Sequence, residues 1–177
     1  MLSVDPVVAA KIKLLVLDVD GVLSTAHLVL GRSGEELKQF SVHDGVAIKF
    51  AQHAGIEVAF LSARTSEIVL HRAKMLDVRE VRQGEHDKLG WIDKLISERG
   101  IGRDAVAYVG DDLVDIAPIE AVALGVAVGD ACEDVKKVAD VVATKHGGHG
   151  AIREVVEGIL RARGEWKSTV RDYIETH

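Results

Sequence analysis

Acidic residues recur directly after apolar runs in this sequence. Asp18-Val-Asp20-Gly21 follows the apolar run 13–17. Ser62-Ala63-Arg64 follows the run 56–61. Gly110-Asp111-Asp112-Leu-Val-Asp115 follows the run 105–109, and Lys88 opens a helical pattern just ahead of it. Each piece has an ordinary structural alternative: an Asp before Gly makes a turn, Asp111 or Asp112 caps a helix, Ser62 is an N-cap, and Lys88 is a solvated helix residue. Together they favour chemistry. Carboxylates crowded into one place repel unless a cation neutralises them, and hard oxygen ligands with water suit Mg²⁺. A phosphate calls for a hydroxyl, backbone N–H groups and a lysine, and the same segments supply them.

The elements that would position these residues alternate regularly. Apolar runs at 13–17, 56–61, 105–109 and 124–128 read as strands buried on both faces. Helical patterns lie at about 44–54, 66–76, 87–99, 113–121 and 150–163, and Gly164 sits past the last as a cap. This alternation predicts an α/β, doubly wound, Rossmann-like parallel sheet with helices on both faces. In such sheets ligands bind outside the carboxyl ends of the strands, where the acidic segments fall. One insertion interrupts the pattern: about 27–41 holds two β-like runs around Gly31-Arg-Ser-Gly34, a β-hairpin after the first strand. The tail, about 165–177, is a short helix or a loose end.

Length and composition limit what surrounds this machinery. The chain has 177 residues, 47% hydrophobic and 28% charged, so we expect one domain over 1–177, with little room for a second independent one. The net charge is −6, aromatics make up 4%, and no long basic run occurs, which argues against nucleic acid as a partner. No apolar stretch approaches the ~20 residues that span a bilayer, and the N-terminus has no signal-peptide layout. The single cysteine, Cys132, fits a reducing compartment. Composition thus points to a cytoplasmic protein, with no membrane partner.

Asp18-Val-Asp20-Gly21-Val, Ser62, Lys88 and Gly110-Asp111-Asp112-x-x-Asp115 resemble, in order and spacing, the four motifs of the haloacid dehalogenase superfamily. The resemblance implies an enzyme, a phosphomonoesterase working through an aspartyl-phosphate. Asp18 would be the nucleophile, and Asp20 would protonate the leaving oxygen and then activate water. Asp18, the Asp20 carbonyl and Asp111 would hold Mg²⁺. Ser62 and Lys88 would bind the transferred phosphoryl group, and Asp112 and Asp115 would orient metal waters or Lys88.

Three further stretches, Phe40-Ser-Val-His43-Asp-Gly45, the motif ending at Asp115, and Gly147-Gly-His149-Gly, are similar to the small capless phosphatases of 3-deoxy-D-manno-octulosonate 8-phosphate. That likeness implies a phosphorylated sugar acid as substrate, a role in lipopolysaccharide sugar synthesis, and a cytoplasmic homotetramer whose hairpins meet and whose neighbours complete the sites. It adds Ala63, Arg64, Arg72, His43, Gly45 and His149 as substrate or phosphate contacts. The sequence departs where His43 and His149 replace the family's usual cations, an exchange of permanent charge for imidazole. This leaves open 2-keto-3-deoxy-nononate 9-phosphate or another sugar phosphate. Two other classes compete. A receiver-type phospho-aspartate switch is disfavoured by Asp20 and the hairpin. A non-catalytic oligomerisation module is disfavoured by the complete set of motif residues.

Overall fold

The structure is a computed structural model and describes residues 2–176. Six strands form one parallel sheet: β1 (Leu14–Asp18), β4 (Glu57–Leu61), β5 (Glu80–Arg82), β6 (Val106–Gly110), β7 (Leu124–Ala127) and β8 (Val141–Val142). Their spatial order is β5-β4-β1-β6-β7-β8, which makes β1 the central strand where the winding reverses. Every residue of β1 and β6 is buried, as expected of strands covered on both faces. Helices α1 (Pro6–Lys11), α2 (Val42–His53), α3 (Glu67–Met75), α4 (Lys88–Arg99), α5 (Ile116–Ala121), α6 (Glu133–Val138), α7 (Ala151–Ala162) and α8 (Trp166–Thr176) complete the chain. The doubly wound α/β reading holds, and among the described residues no cap lies over the sheet.

Helix packing follows from apolar spacing. On α7, Ile152, Val155, Val156 and Ile159 recur at intervals of three and four residues and are fully or almost fully buried. α7 packs on α2 and α1, while Asp44 of α2 accepts hydrogen bonds from Gly150 N at 3.1 Å and Arg153 N at 2.7 Å. A buried carboxylate thereby satisfies the otherwise orphan donors at the start of α7. The β-hairpin consists of β2 (Val29–Leu30) and β3 (Glu36–Leu37), paired antiparallel.

Several expected boundaries need correction. The first strand starts at Leu14 and ends at Asp18, so the acidic residue itself pairs in the sheet, opposite Leu61. The pattern at 113–121 divides into a 3₁₀ turn, Leu113–Asp115, and α5, because the Asp115 side chain folds back onto the backbone of Asp111 and Asp112. The tail is helix α8, whose Trp166 and Tyr173 meet Phe50 edge to face at 5.6 and 5.0 Å. Strands β5 and β8 and helices α1 and α6 carried no clear periodicity: the strands span three and two residues, the helices six each.

Candidate active site

The carboxyl ends of β1, β4 and β6 open onto one crevice. Asp18 closes β1 and is only 6% exposed. The chain then turns at Gly21, whose φ of +97° is left-handed and whose missing Cβ would lie 2.0 Å from Asp111 Oδ2. No L side chain fits there, so glycine lets Asp20 and the Asp111 carboxylate share the crevice. A second close approach closes the far wall. A Cβ on Gly147 would lie 1.7 Å from the Gly21 carbonyl, and Gly148 N donates to the Val22 carbonyl at 2.9 Å. The glycine-rich loop before α7 is thus sewn to the loop after β1.

Lys88 is the first residue of α4, whose N-cap Asp87 accepts from Gly90 N at 3.0 Å. Its ammonium bridges Asp18 Oδ1 at 2.7 Å and Asp115 Oδ1 at 2.6 Å, with 2% of the side chain exposed. Asp115 also accepts from Tyr108 OH at 2.6 Å, and its other oxygen takes the N–H groups of Asp111 at 2.9 Å and Asp112 at 3.2 Å. A carboxylate offers about four lone-pair sites, and all are used here. Asp115 therefore braces Lys88 and the 110–112 turn and has no free acceptor.

Oxygens of Asp18, Asp111 and Asp115 lie within 4.8 Å of one another. One ammonium faces three carboxylates. Burial and mutual repulsion outweigh it, pushing Asp18 up to about 7 and Asp111 up to about 8. This surplus of negative charge on hard oxygens fits a divalent cation such as Mg²⁺. Asp18 and Asp111 carry the free oxygens that would hold it.

The remaining expected site residues separate by position. Ser62, 3% exposed after β4, donates to Asp20 Oδ2 at 3.4 Å and accepts from Arg64 N at 3.1 Å, with Ala63 between them. Arg64 places Nε 3.8 Å from Asp20 Oδ2. Asp112 is exposed, accepts from Leu113 N at 2.8 Å and shares a reciprocal capping box with Asp115, so it caps the turn. Arg72 donates to the Ser41 carbonyl at 3.0 Å, lies over the Phe40 ring, and passes close to Gly45. It fastens the start of α2, and these contacts lie outside the carboxylate cluster. His43 is exposed in the first turn of α2; His149 is exposed and pairs Nδ1 with the Gly147 carbonyl at 2.9 Å.

Sequence reasoning passed over three residues that belong here. Tyr108 is a polar tip within an apolar strand, Asp44 a carboxylate beside the singled-out His43, and Lys38 a hairpin lysine that pairs with Asp20. The odd polar residue in each pattern was the available signal.

Replacing Lys88 tests the electrostatic account. Lys88→Met leaves two buried carboxylates without their cation, so the metal-free protein is expected to lose ~3–5 kcal/mol of unfolding free energy at neutral pH, read by urea titration. A loss under about 1 kcal/mol, the scale of an exposed ion pair, would show that the bridge does not carry that weight.

A parallel sheet with a carboxylate cluster at its winding reversal and a buried lysine bridging it defines a class of phosphoryl-handling α/β hydrolases. Residues 77–155 match the haloacid dehalogenase-like hydrolase family. The chain is 43% identical over 157 residues to 3-deoxy-D-manno-octulosonate 8-phosphate phosphatase KdsC of Escherichia coli K12, covering 89% of this chain and 84% of that protein. The solved phosphatase of that name from Moraxella catarrhalis, in complex with magnesium, phosphate and KDO, superposes with a TM-score of 0.92 at 36% identity, covering 95% of this chain and 97% of that one. The Yersinia pestis phosphatase superposes with a TM-score of 0.89 at 38% identity, covering 92% and 88%. The chain belongs to the family of the 3-deoxy-D-manno-octulosonate 8-phosphate phosphatases, within the haloacid dehalogenase-like hydrolases.

Proposed function

We propose that this protein is a Mg²⁺-dependent phosphomonoesterase whose substrate is 3-deoxy-D-manno-octulosonate 8-phosphate, acting in the cytoplasm in lipopolysaccharide sugar synthesis. The observation that carries the reading is Lys88 bridging Asp18 and Asp115 beside Asp111, at the carboxyl end of the central strand. Asp20 and the family membership both argue against the receiver-type switch.

In the first step an Asp18 carboxylate oxygen bonds to phosphorus and the ester P–O bond breaks. Asp20 gives its proton to the departing sugar oxygen. In the second, Asp20 takes a proton from water, the water oxygen bonds to phosphorus, and the Asp18–phosphorus bond breaks to release inorganic phosphate. Ser62 Oγ, the Ala63 N–H and the Lys88 ammonium bind the phosphoryl oxygens; Arg64 grips the anion at the mouth. Mg²⁺, held by Asp18, Asp111 and the Asp20 carbonyl, would screen the repulsion between two anions. Asp112 and Asp115 hold the 110–115 turn behind these groups. His43 and His149 form the outer wall that meets the sugar acid, with Gly45 and Arg72 shaping the start of α2 behind His43.

The hairpin supports a homotetramer of one-domain subunits. Val29, Leu30 and Leu37 are 52, 60 and 58% exposed on a short open ribbon, an apolar edge that favours pairing with neighbours. Light scattering is expected to give four times the chain mass; a stable monomer at working concentration would reject the assembly. A screen of sugar-acid phosphates tests the substrate, with kcat/KM expected highest for the octulosonate ester. A higher value for the nononate ester or an unrelated sugar phosphate would move the choice. No steady turnover of any ester would favour the switch.

A further inference from the structure

The crevice holds a second ionic cluster, built from the hairpin. Alternation along Glu36-Leu37-Lys38 sends Leu37 outward, 58% exposed, and turns Glu36 and Lys38 inward. Only 3% of the Lys38 side chain is exposed, although a lysine on a two-stranded ribbon normally reaches into solvent. Its ammonium contacts Asp20 Oδ1 and lies 3.0 Å from Glu36 Oε1. Arg64 Nη2 reaches Glu36 Oε1 at 3.1 Å, and its Nε lies 3.8 Å from Asp20 Oδ2. Two carboxylates and two cations therefore alternate, and Asp20 is the member that faces Ser62.

The geometry points to Lys38 as a positioning residue for Asp20: the hairpin's ammonium occupies Oδ1 and leaves Oδ2 as the oxygen that exchanges the proton. Oδ2 lies on the Ser62 side, where a phosphoryl ester oxygen would sit. In the first step the proton passes from Oδ2 to the departing oxygen, and the negative charge left on Asp20 sits against the Lys38 ammonium. In the second step Oδ2 takes the proton of water while Lys38 still holds the carboxylate in place. A carboxyl group without this partner rotates, and proton transfer depends on the donor lying within hydrogen-bond reach. Lys38 has two of its three donors already committed to Asp20 and Glu36, so it is poorly placed to grip substrate anions directly.

The inference rests on Asp20 as the acid and base of the proposed reaction, and the test separates the two. The Mg²⁺-loaded enzyme is assayed for kcat/KM on phosphate monoesters whose leaving groups range from p-nitrophenol to primary alcohols. p-Nitrophenolate leaves without a proton, whereas an alkoxide needs one. Asp20→Asn is expected to lose far more on alkyl than on aryl esters. Lys38→Met is expected to follow that profile more weakly, losing about 10–100-fold on alkyl esters with KM little changed and little loss on p-nitrophenyl phosphate. Lys38→Arg should recover part of the loss. Lys38→Gln carries the same expectation as Lys38→Met and guards against a folding defect. A uniform loss across the series, a rise in KM alone, or no loss would overturn the role of Lys38 while a steep Asp20→Asn profile keeps that of Asp20. A flat Asp20→Asn profile would overturn both.

Discussion

Asp18→Asn is expected to lower kcat by ~10⁴-fold or more while leaving the fold at least as stable. The amide has no anionic oxygen to attack phosphorus, so no phosphoenzyme forms, and acid-quenched enzyme should carry no label from a phosphate-labelled ester. The stability half of the expectation comes from the same geometry. Asp18 is buried beside Asp115 and Asp111, and burial and repulsion together hold its carboxyl up at about 7 despite Lys88. An uncharged side chain of the same shape removes that repulsion and still offers Lys88 an amide oxygen. Metal-free Asp18→Asn should therefore melt no lower than wild type at pH 8. Activity and stability move in opposite directions, as at other sites where function maintains strain against stability. Retained turnover would remove Asp18 as nucleophile. A large drop in melting temperature would remove the repulsion argument.

Which parts of this site were legible in the sequence follows from how local each cause is. Asp18, Ser62 and Asp111 sit at or just past the ends of apolar strands, and the rule that α/β ligands bind at those ends needs only the strand pattern. Gly21 was legible as a turn, but its closeness to Asp111 depends on β1 and β6 being neighbours, which sequence order does not state. Asp115 illustrates the same limit. Its spacing placed it near the metal turn, whereas the saturation of its four acceptor sites needed Tyr108 from the strand before and Lys88 from another helix. Lys38 was hidden because the hairpin read as an assembly element. Only the inward turn of one strand face, set by how the ribbon folds back through the Ser24–Phe40 bridge, brings its ammonium to Asp20. Edge strands β5 and β8 escaped because a few half-exposed residues carry no period.

Mg²⁺ binding is expected to release protons, and its affinity to rise steeply with pH up to about pH 8. In the metal-free protein, burial and carboxylate repulsion hold Asp18 up at about 7 and Asp111 at about 8, against the ordinary 3.8. A cation needs both groups ionised. Below pH 7 it must displace protons from both, between 7 and 8 mainly from Asp111, and above 8 from neither. Each displaced proton makes affinity change by tenfold per pH unit. Titration calorimetry in two buffers of different ionisation enthalpy at pH 6.5 should show more than one proton released per ion, falling toward zero by pH 9.

The stability of the metal-free fold carries the matching sign. Between about pH 4 and 7 the folded state holds protons on these carboxyls that the unfolded chain has already lost, so stability falls as pH rises and levels off above about 8. Excess Mg²⁺ should then raise the melting temperature most at pH 8 and little at pH 5. A metal effect independent of pH, with no proton release, would mean that the cluster is already ionised without its cation. Lys88 alone would then be neutralising more of it than its single charge allows.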